Sequence, residues 1–62
     1  MATKVLIVDD STFFRKRLKE IVESEPTMQV VGEAKDGKEG VDLTQKLRPD
    51  VITMDGEMPV MD

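Results

Sequence analysis

The feature that most constrains the fold is the alternation of short apolar runs with segments of helical spacing. Three runs are predicted to be strands: "KVLIVDD", "MQVVGEA" and "DVITMD". The first contains four consecutive apolar residues, which is typical of a strand buried on both faces. Helical patterns separate the three runs. Strands that alternate with helices predict a parallel sheet with right-handed crossovers, in the order β-α-β-α-β.

The helix boundaries follow from capping and breaking residues. Ser11 or Thr12 can cap the first helix, and Pro26 ends it. Asp36 with Glu39 predicts the start of the second helix, and Arg48-Pro49 its end. The predicted apolar stripe of the first helix consists of Phe14, Leu18, Ile21 and Val22, while Arg15, Lys16, Lys19 and Glu23 are predicted mainly on the solvent side.

Two further packing expectations concern small and aromatic residues. Gly40 within the second helix costs roughly 1 kcal/mol relative to alanine. We therefore expect Gly40 to permit close packing of that helix on the sheet. Phe13 and Phe14 are expected to be core and rim residues.

The composition restricts the chemistry that this chain can support. Its 62 residues make one domain at most, and they include neither cysteine nor histidine. Disulfides and zinc sites of the Cys/His type are therefore excluded. A metal site must use oxygen ligands, which favours magnesium, calcium or manganese.

The charge and hydropathy patterns argue against two classes of partner. The net charge is −4, from 13 acidic and 9 basic residues, and no basic face emerges to neutralise phosphates. We therefore expect no nucleic-acid binding by this segment. No apolar run approaches membrane-spanning length and no signal peptide is evident, so we expect no membrane association and a cytoplasmic location.

Carboxylates follow two of the predicted strands. Asp9 and Asp10 come directly after the first strand, and Asp55 ends the third. If these strands are neighbours, three carboxylates meet at one edge of the sheet, where ligands of open parallel sheets bind. Like charges at that spacing favour a bound cation. Alternatively, Asp9 and Asp10 serve the N-terminus of the first helix, where the helix dipole favours negative charge.

Four segments together resemble the receiver domain of two-component response regulators: "VLIVDDS", "VVGEAKDGKEG", "RPDVITMD" and "EMPVMD". They occur in the family's order between residues 4 and 62. The resemblance implies a flavodoxin-like (CheY-like) doubly wound parallel sheet. Its β-α-β-α-β half has three strands in the order 2-1-3.

The resemblance also implies a role for each acidic residue. Asp55 would be the phosphoacceptor, a carboxylate that takes a phosphoryl group from a histidine kinase. Mg²⁺ would be bound directly by Asp10 and largely through water by Asp9, with Asp55 and the backbone carbonyl of Glu57 as the other metal residues. On this basis we expect a phosphoacceptor domain, not an enzyme.

Residues 1–62 correspond to the N-terminal half of such a domain. The Ser/Thr of the fourth strand and the Lys of the fifth, which contact the phosphoryl group in the family, have no counterpart here. We therefore expect incomplete phosphorylation chemistry in this fragment. We also expect self-association, for example as a dimer, or pairing with a complementary C-terminal half, because the third strand would be an exposed apolar edge.

Two questions stay open at this level. One alternative is a non-catalytic half-domain that self-assembles, or pairs with a C-terminal half, without phosphorylation. The other question is the output class. The wording of the motifs is similar to chemotaxis receivers, either stand-alone or joined to a methylesterase, and less closely to DNA-binding regulators.

Overall fold

Three strands and two helices alternate along the chain, as the sequence predicts. The structure is a computed structural model, and it describes residues 2–54. The elements are β1 (Thr3–Val8), α1 (Thr12–Glu23), β2 (Met28–Ala34), α2 (Gly37–Leu47) and β3 (Val51–Met54).

The strands form one parallel sheet in the order β2-β1-β3, so the predicted order 2-1-3 is confirmed. β1 is the central strand, and Val5 through Val8 are buried almost completely. Val8 pairs with Ala34 of β2 on one side and with Met54 of β3 on the other. All three strands therefore end at the same edge of the sheet.

Two local features fix the strand register. The pairing of β1 with β2 shifts between Val5, opposite Val30, and Leu6, opposite Gly32, so β2 contains one extra residue at this point. Just before β3, Asp50 and Lys4 form two hydrogen bonds, and each residue donates one of them. The Asp50 N–H donates to the Lys4 carbonyl at 2.8 Å, and the Lys4 N–H donates to Asp50 Oδ2 at 2.9 Å.

The core lies on both faces of the sheet. On the α1 face, Val5 and Ile7 pack with Val22, and Leu18 and Val30 join them. On the α2 face the buried residues are Leu6, Val8 and Ala34, with Leu43, Ile52 and Met54 packed against them. The continuous apolar run of β1 is thus explained by a helix on each side.

Helix α1 is rotated relative to the predicted stripe. Val22 is buried and Leu18 is partly buried, as expected, but Phe14 is 57% exposed and Ile21 is 55% exposed. Arg15 and Lys19, predicted on the solvent side, reach Glu33 of β2. The reason is that α1 contacts β1 and β2, so positions 15, 18, 19 and 22 form the face turned to the sheet.

The expectation that Phe13 and Phe14 are core residues is wrong. Phe13 is 73% exposed, and the two rings contact each other edge to face with their centroids 5.8 Å apart. Both residues lie in the first turn of α1, on a flank that no described element covers among residues 2–54. Aromatic character alone therefore did not indicate burial here.

Both helix starts agree with the sequence. Ser11 caps α1, because its Oγ accepts the Phe14 N–H at 3.3 Å. Asp36 caps α2 through its Oδ1, which accepts the Glu39 N–H at 2.8 Å. The Glu39 carboxylate accepts the N–H of Lys35, one residue before the cap, at 3.1 Å. Each cap satisfies an otherwise free N–H at a helix start.

The end of α2 and its contact with the sheet are also as predicted. Arg48, just before Pro49, ends the helix in the left-handed conformation with φ of 48°. Gly40 is buried, and a Cβ added there would lie 3.0 Å from Cγ2 of Val8. The expected close approach at Gly40 is confirmed.

No helix within residues 2–54 has the length and apolar character needed to cross a membrane.

The contact between Gly40 and Val8 predicts the sign of the stability change on substituting Gly40 by alanine. Gly-to-Ala in a helix interior normally stabilises by about 1 kcal/mol. We predict instead that Gly40→Ala destabilises the protein by about 1 kcal/mol. The reason is that Val8 is β-branched and 1% exposed, so the new Cβ would overpack it, and overpacking costs about 1–3 kcal/mol. Urea unfolding measures the free energy of unfolding.

The matched background is Val8→Ala, which removes the methyl groups that the new Cβ would meet. In that background Gly40→Ala should be neutral or stabilising. A Gly40→Ala substitution that stabilises the protein with Val8 intact would show that the contact is not restrictive.

Candidate acidic site at the sheet edge

The candidate site begins where the central strand ends. Asp9 follows β1 directly, and its backbone N–H donates to the Ala34 carbonyl at 3.0 Å, extending the pairing with β2 by one residue. Met54, the last described residue of β3, lies opposite Val8. The predicted neighbour relation of the first and third strands is therefore confirmed, and Asp9 and Asp10 lie at the edge toward which β3 runs.

Asp9 is held from three directions. It is only 4% exposed, which is unusual for an aspartate. Besides the N–H bond to Ala34, its Oδ1 accepts the Ser11 N–H at 2.8 Å, and its carbonyl oxygen accepts Nη1 of Arg15 at 2.6 Å. These bonds compensate the burial of a polar residue and fix its orientation.

Asp10, in contrast, is exposed. Both acids immediately precede the N-terminus of α1, where negative charge is favourable. The alternative that Asp9 and Asp10 only serve the N-terminus of α1 does not explain both acids, since Ser11 and not an aspartate caps α1. The Asp10 carboxylate thus stands at the sheet edge, and no hydrogen bond to it is seen from residues 2–54.

The network of ion pairs and hydrogen bonds that Arg15 and Lys19 form beside Asp9 was not predicted from the sequence. Arg15 Nε lies 3.8 Å from Glu33 Oε1, Lys19 Nζ lies 3.5 Å from Glu33 Oε2, and Nη2 of Arg15 donates to the Thr12 hydroxyl at 3.3 Å. The signal was present: residues 15, 18, 19 and 22 have the i, i+3, i+4, i+7 spacing of one helix face. Assigning that face by its apolar members alone hid the two basic ones.

The other predicted site residues lie outside the described part of the chain. Asp55 and Glu57 follow Met54, beyond the last described position. Within residues 2–54, no three acidic side chains approach closely enough to hold a metal ion by themselves. The described part of the site is therefore the pair Asp9 and Asp10.

The described pair offers the type of donor atom that Mg²⁺ accepts. Its donors are carboxylate oxygens, one exposed and one fixed by hydrogen bonds, at the carboxyl edge of a parallel sheet. Mg²⁺ prefers such oxygens, keeps several waters, and is usually bound through one or two carboxylates. The arrangement fits that ion.

Two solved structures share the fold of this chain over nearly its whole length. The response regulator domain of Thermotoga maritima CheB superposes with a TM-score of 0.88 at 55% identity, covering 100% of this chain and 46% of that one. CheY6 from R. sphaeroides, solved in complex with the P1 domain of CheA3, gives a TM-score of 0.78 at 37% identity, covering 97% of this chain and 47% of that one.

Curated sequences similar to this chain include two proteins named as enzymes. A protein-glutamate methylesterase/protein-glutamine glutaminase of Pseudoalteromonas atlantica is 58% identical over 62 residues. One from Pseudomonas putida is 63% identical over the same length. The chain is covered completely in both comparisons, but it spans only 16% and 17% of the lengths of these relatives.

These relatives overturn one expectation. The sequence led us to expect a protein that is not an enzyme, but the relatives are named as enzymes, methylesterases and glutaminases. The error arose because the receiver motifs describe only the segment that carries them, which spans 16% and 17% of the lengths of these relatives.

The receiver family accounts for the acid pair, the strand order and the comparisons together. The family model for the response regulator receiver domain matches residues 5–62, which is nearly the whole chain. This match also disfavours the alternative of a self-assembling module without signalling chemistry. The chain belongs to the response regulator receiver domain family.

Proposed function

We propose that Asp55 accepts a phosphoryl group, with Mg²⁺ bound at the edge formed by Asp9 and Asp10. The single observation that carries this proposal is the pairing of Val8 with Met54. That pairing directs the ends of β1 and β3 to one edge, and Asp55 is the next residue of the chain after Met54. The proposed carboxylate nucleophile then follows the strand that neighbours β1, and the acid pair follows β1 itself.

The two aspartates differ in a way that divides the metal-binding task. Asp10 is exposed, so it is free to bind Mg²⁺ directly. Asp9 is 4% exposed and its Oδ1 already accepts a hydrogen bond, which suits contact through a metal-bound water. Asp55 and the Glu57 carbonyl complete the proposed ligand set. Bound Mg²⁺ would neutralise charge that develops on the phosphoryl oxygens.

The phosphoryl donor in this proposal is a histidine kinase. The related CheY6 was solved with the P1 domain of CheA3, which supports a donor of that type. During transfer the Asp55 carboxylate oxygen forms a bond to phosphorus, while the phosphorus–nitrogen bond of a phosphohistidine breaks and the histidine nitrogen takes up a proton.

We also propose that residues 1–62 are one part of a receiver domain. The chain covers 46% of the solved CheB response regulator domain. The remaining receiver segments would cover the exposed flank of α1 and supply the missing Ser/Thr and Lys. In their absence we propose association of the chain with a second copy or with a separate C-terminal half.

A CheB-type protein is favoured over a stand-alone CheY-type receiver. Identity and TM-score are both higher for the CheB domain, at 55% and 0.88, than for CheY6, at 37% and 0.78. We therefore propose a chemotaxis function in which phosphorylation at Asp55 regulates protein-glutamate methylesterase and glutaminase activity.

Removal of the exposed carboxylate tests the metal site. We predict that Asp10→Ala in the natural-length protein lowers Mg²⁺ affinity at least about tenfold, because the direct ligand is lost. Isothermal titration with MgCl₂ measures the affinity. Asp42→Ala, at an exposed acid of α2, is the matched control for one lost negative charge and should bind Mg²⁺ like the wild type. Equal affinity in both variants would refute the assignment of Asp10.

Removal of the nucleophile tests the phosphoacceptor. Incubation of the natural-length protein with an autophosphorylated histidine kinase should label the wild type and leave Asp55→Asn unlabelled, because the amide is not a nucleophile for this transfer. Retained labelling of Asp55→Asn would place the acceptor elsewhere. The separate 62-residue chain should be labelled poorly, and its labelling should rise when a C-terminal half is added.

A further inference from the structure

The carbonyl group of Asp9 belongs to the peptide bond that joins the two acids of the site. The orientation of this peptide plane sets the direction in which the backbone enters Asp10, because the plane is rigid. Arg15 Nη1 donates to that carbonyl oxygen at 2.6 Å. A charge-assisted bond from a guanidinium is short and strong compared with a neutral one.

The guanidinium of Arg15 is itself held in place. Its side chain is only 17% exposed, its Nε lies 3.8 Å from Glu33 Oε1, and its Nη2 donates to the Thr12 hydroxyl at 3.3 Å. Glu33 is fixed on β2 opposite Ile7, which places it on the α1 face of the sheet. Lys19 approaches the other oxygen of Glu33 at 3.5 Å.

From this geometry we propose that Arg15 is a positioning residue for the Asp9-Asp10 pair. It fixes the peptide plane between them, and thereby orients the Asp10 carboxylate for a divalent cation. This inference rests on the proposed magnesium function of the pair. Glu33 acts one step further out, since it anchors the guanidinium.

The fork of the guanidinium is what distinguishes Arg15 from any other basic residue. Three of its nitrogens meet three separate groups: the Asp9 carbonyl, the Glu33 carboxylate and the Thr12 hydroxyl. A lysine ammonium is a compact point charge and cannot span these groups. Arg15→Lys therefore keeps the positive charge and loses the fixed geometry.

The experiment measures Mg²⁺ affinity in the natural-length protein by isothermal titration with MgCl₂. Groups that orient metal ligands typically contribute 10–100-fold to affinity, so we expect Arg15→Ala to weaken binding about tenfold. Arg15→Lys should lose most of that factor as well. A second readout needs no metal: the ¹³C shift of the Asp9 carbonyl should change in both Arg15 variants.

Two controls separate positioning from charge and from stability. Arg17→Ala removes the same charge from an exposed position of α1, where solvent and salt screen it, and should change affinity by less than about twofold. Val22→Ala destabilises the α1 packing without touching the network, and it should lower the melting temperature while leaving Mg²⁺ affinity unchanged.

Full Mg²⁺ affinity in Arg15→Ala, or in Arg15→Lys, would overturn the positioning role. An effect of Arg17→Ala equal to that of Arg15→Ala would overturn it too, because charge alone would then explain the loss. In either case, loss of binding in Asp10→Ala would leave the proposed function intact. A wild-type protein that binds no Mg²⁺ would contradict the proposed function, and this inference with it.

Discussion

The complete burial of β1 between two helices is the constraint on which the rest of the structure depends. Four consecutive apolar residues leave the strand no solvent face, so it occupies the centre of the sheet with α1 on one side and α2 on the other. Its first polar residues can then appear only where the strand ends. The buried strand therefore determines where the backbone of Asp9 and Asp10 begins.

The hydrogen bonds at Asp9 fix the chain one residue further. An aspartate that is almost fully buried is tolerated because its N–H, carboxylate and carbonyl each have a partner. The exposed Asp10 next to it inherits a defined position. One buried, hydrogen-bonded acid beside one exposed acid is compatible with the proposed binding of Mg²⁺, which keeps several waters and is usually bound through one or two carboxylates.

Much of this arrangement could be predicted from the sequence, because the strands and caps depend on local patterns. The bounds of β2, the caps at Ser11 and Asp36, and the close packing at Gly40 agree with those patterns. The rotation of α1 could not be predicted from its apolar residues. Phe14 and Ile21 have the right spacing for burial, yet no described element covers them, whereas Arg15 contacts Asp9, which follows β1, and Glu33 of β2.

The site itself was predictable only where it depends on strand order. The convergence of β1 and β3 followed from the βαβ pattern and the receiver resemblance, while the ion pair of Arg15 with Glu33 depends on a register shift in β2 that brings Glu33 opposite Ile7. Gly32 is a local signal of that extra residue, since a glycine inside a strand often marks a bulge, but the glycine alone does not specify the new partner of Glu33. The enzyme activity named for the relatives could not be predicted either, since the receiver motifs carry no signal for it.

In the proposed site, the acids that follow β1 and β3 share one divalent ion. Mn²⁺ takes the same oxygen ligands as Mg²⁺ and broadens the NMR signals of nearby amides. In the natural-length protein, substoichiometric Mn²⁺ should broaden the amides of Asp10 and Asp55 together, at the same metal concentration. Broadening confined to one of these two positions would contradict the account.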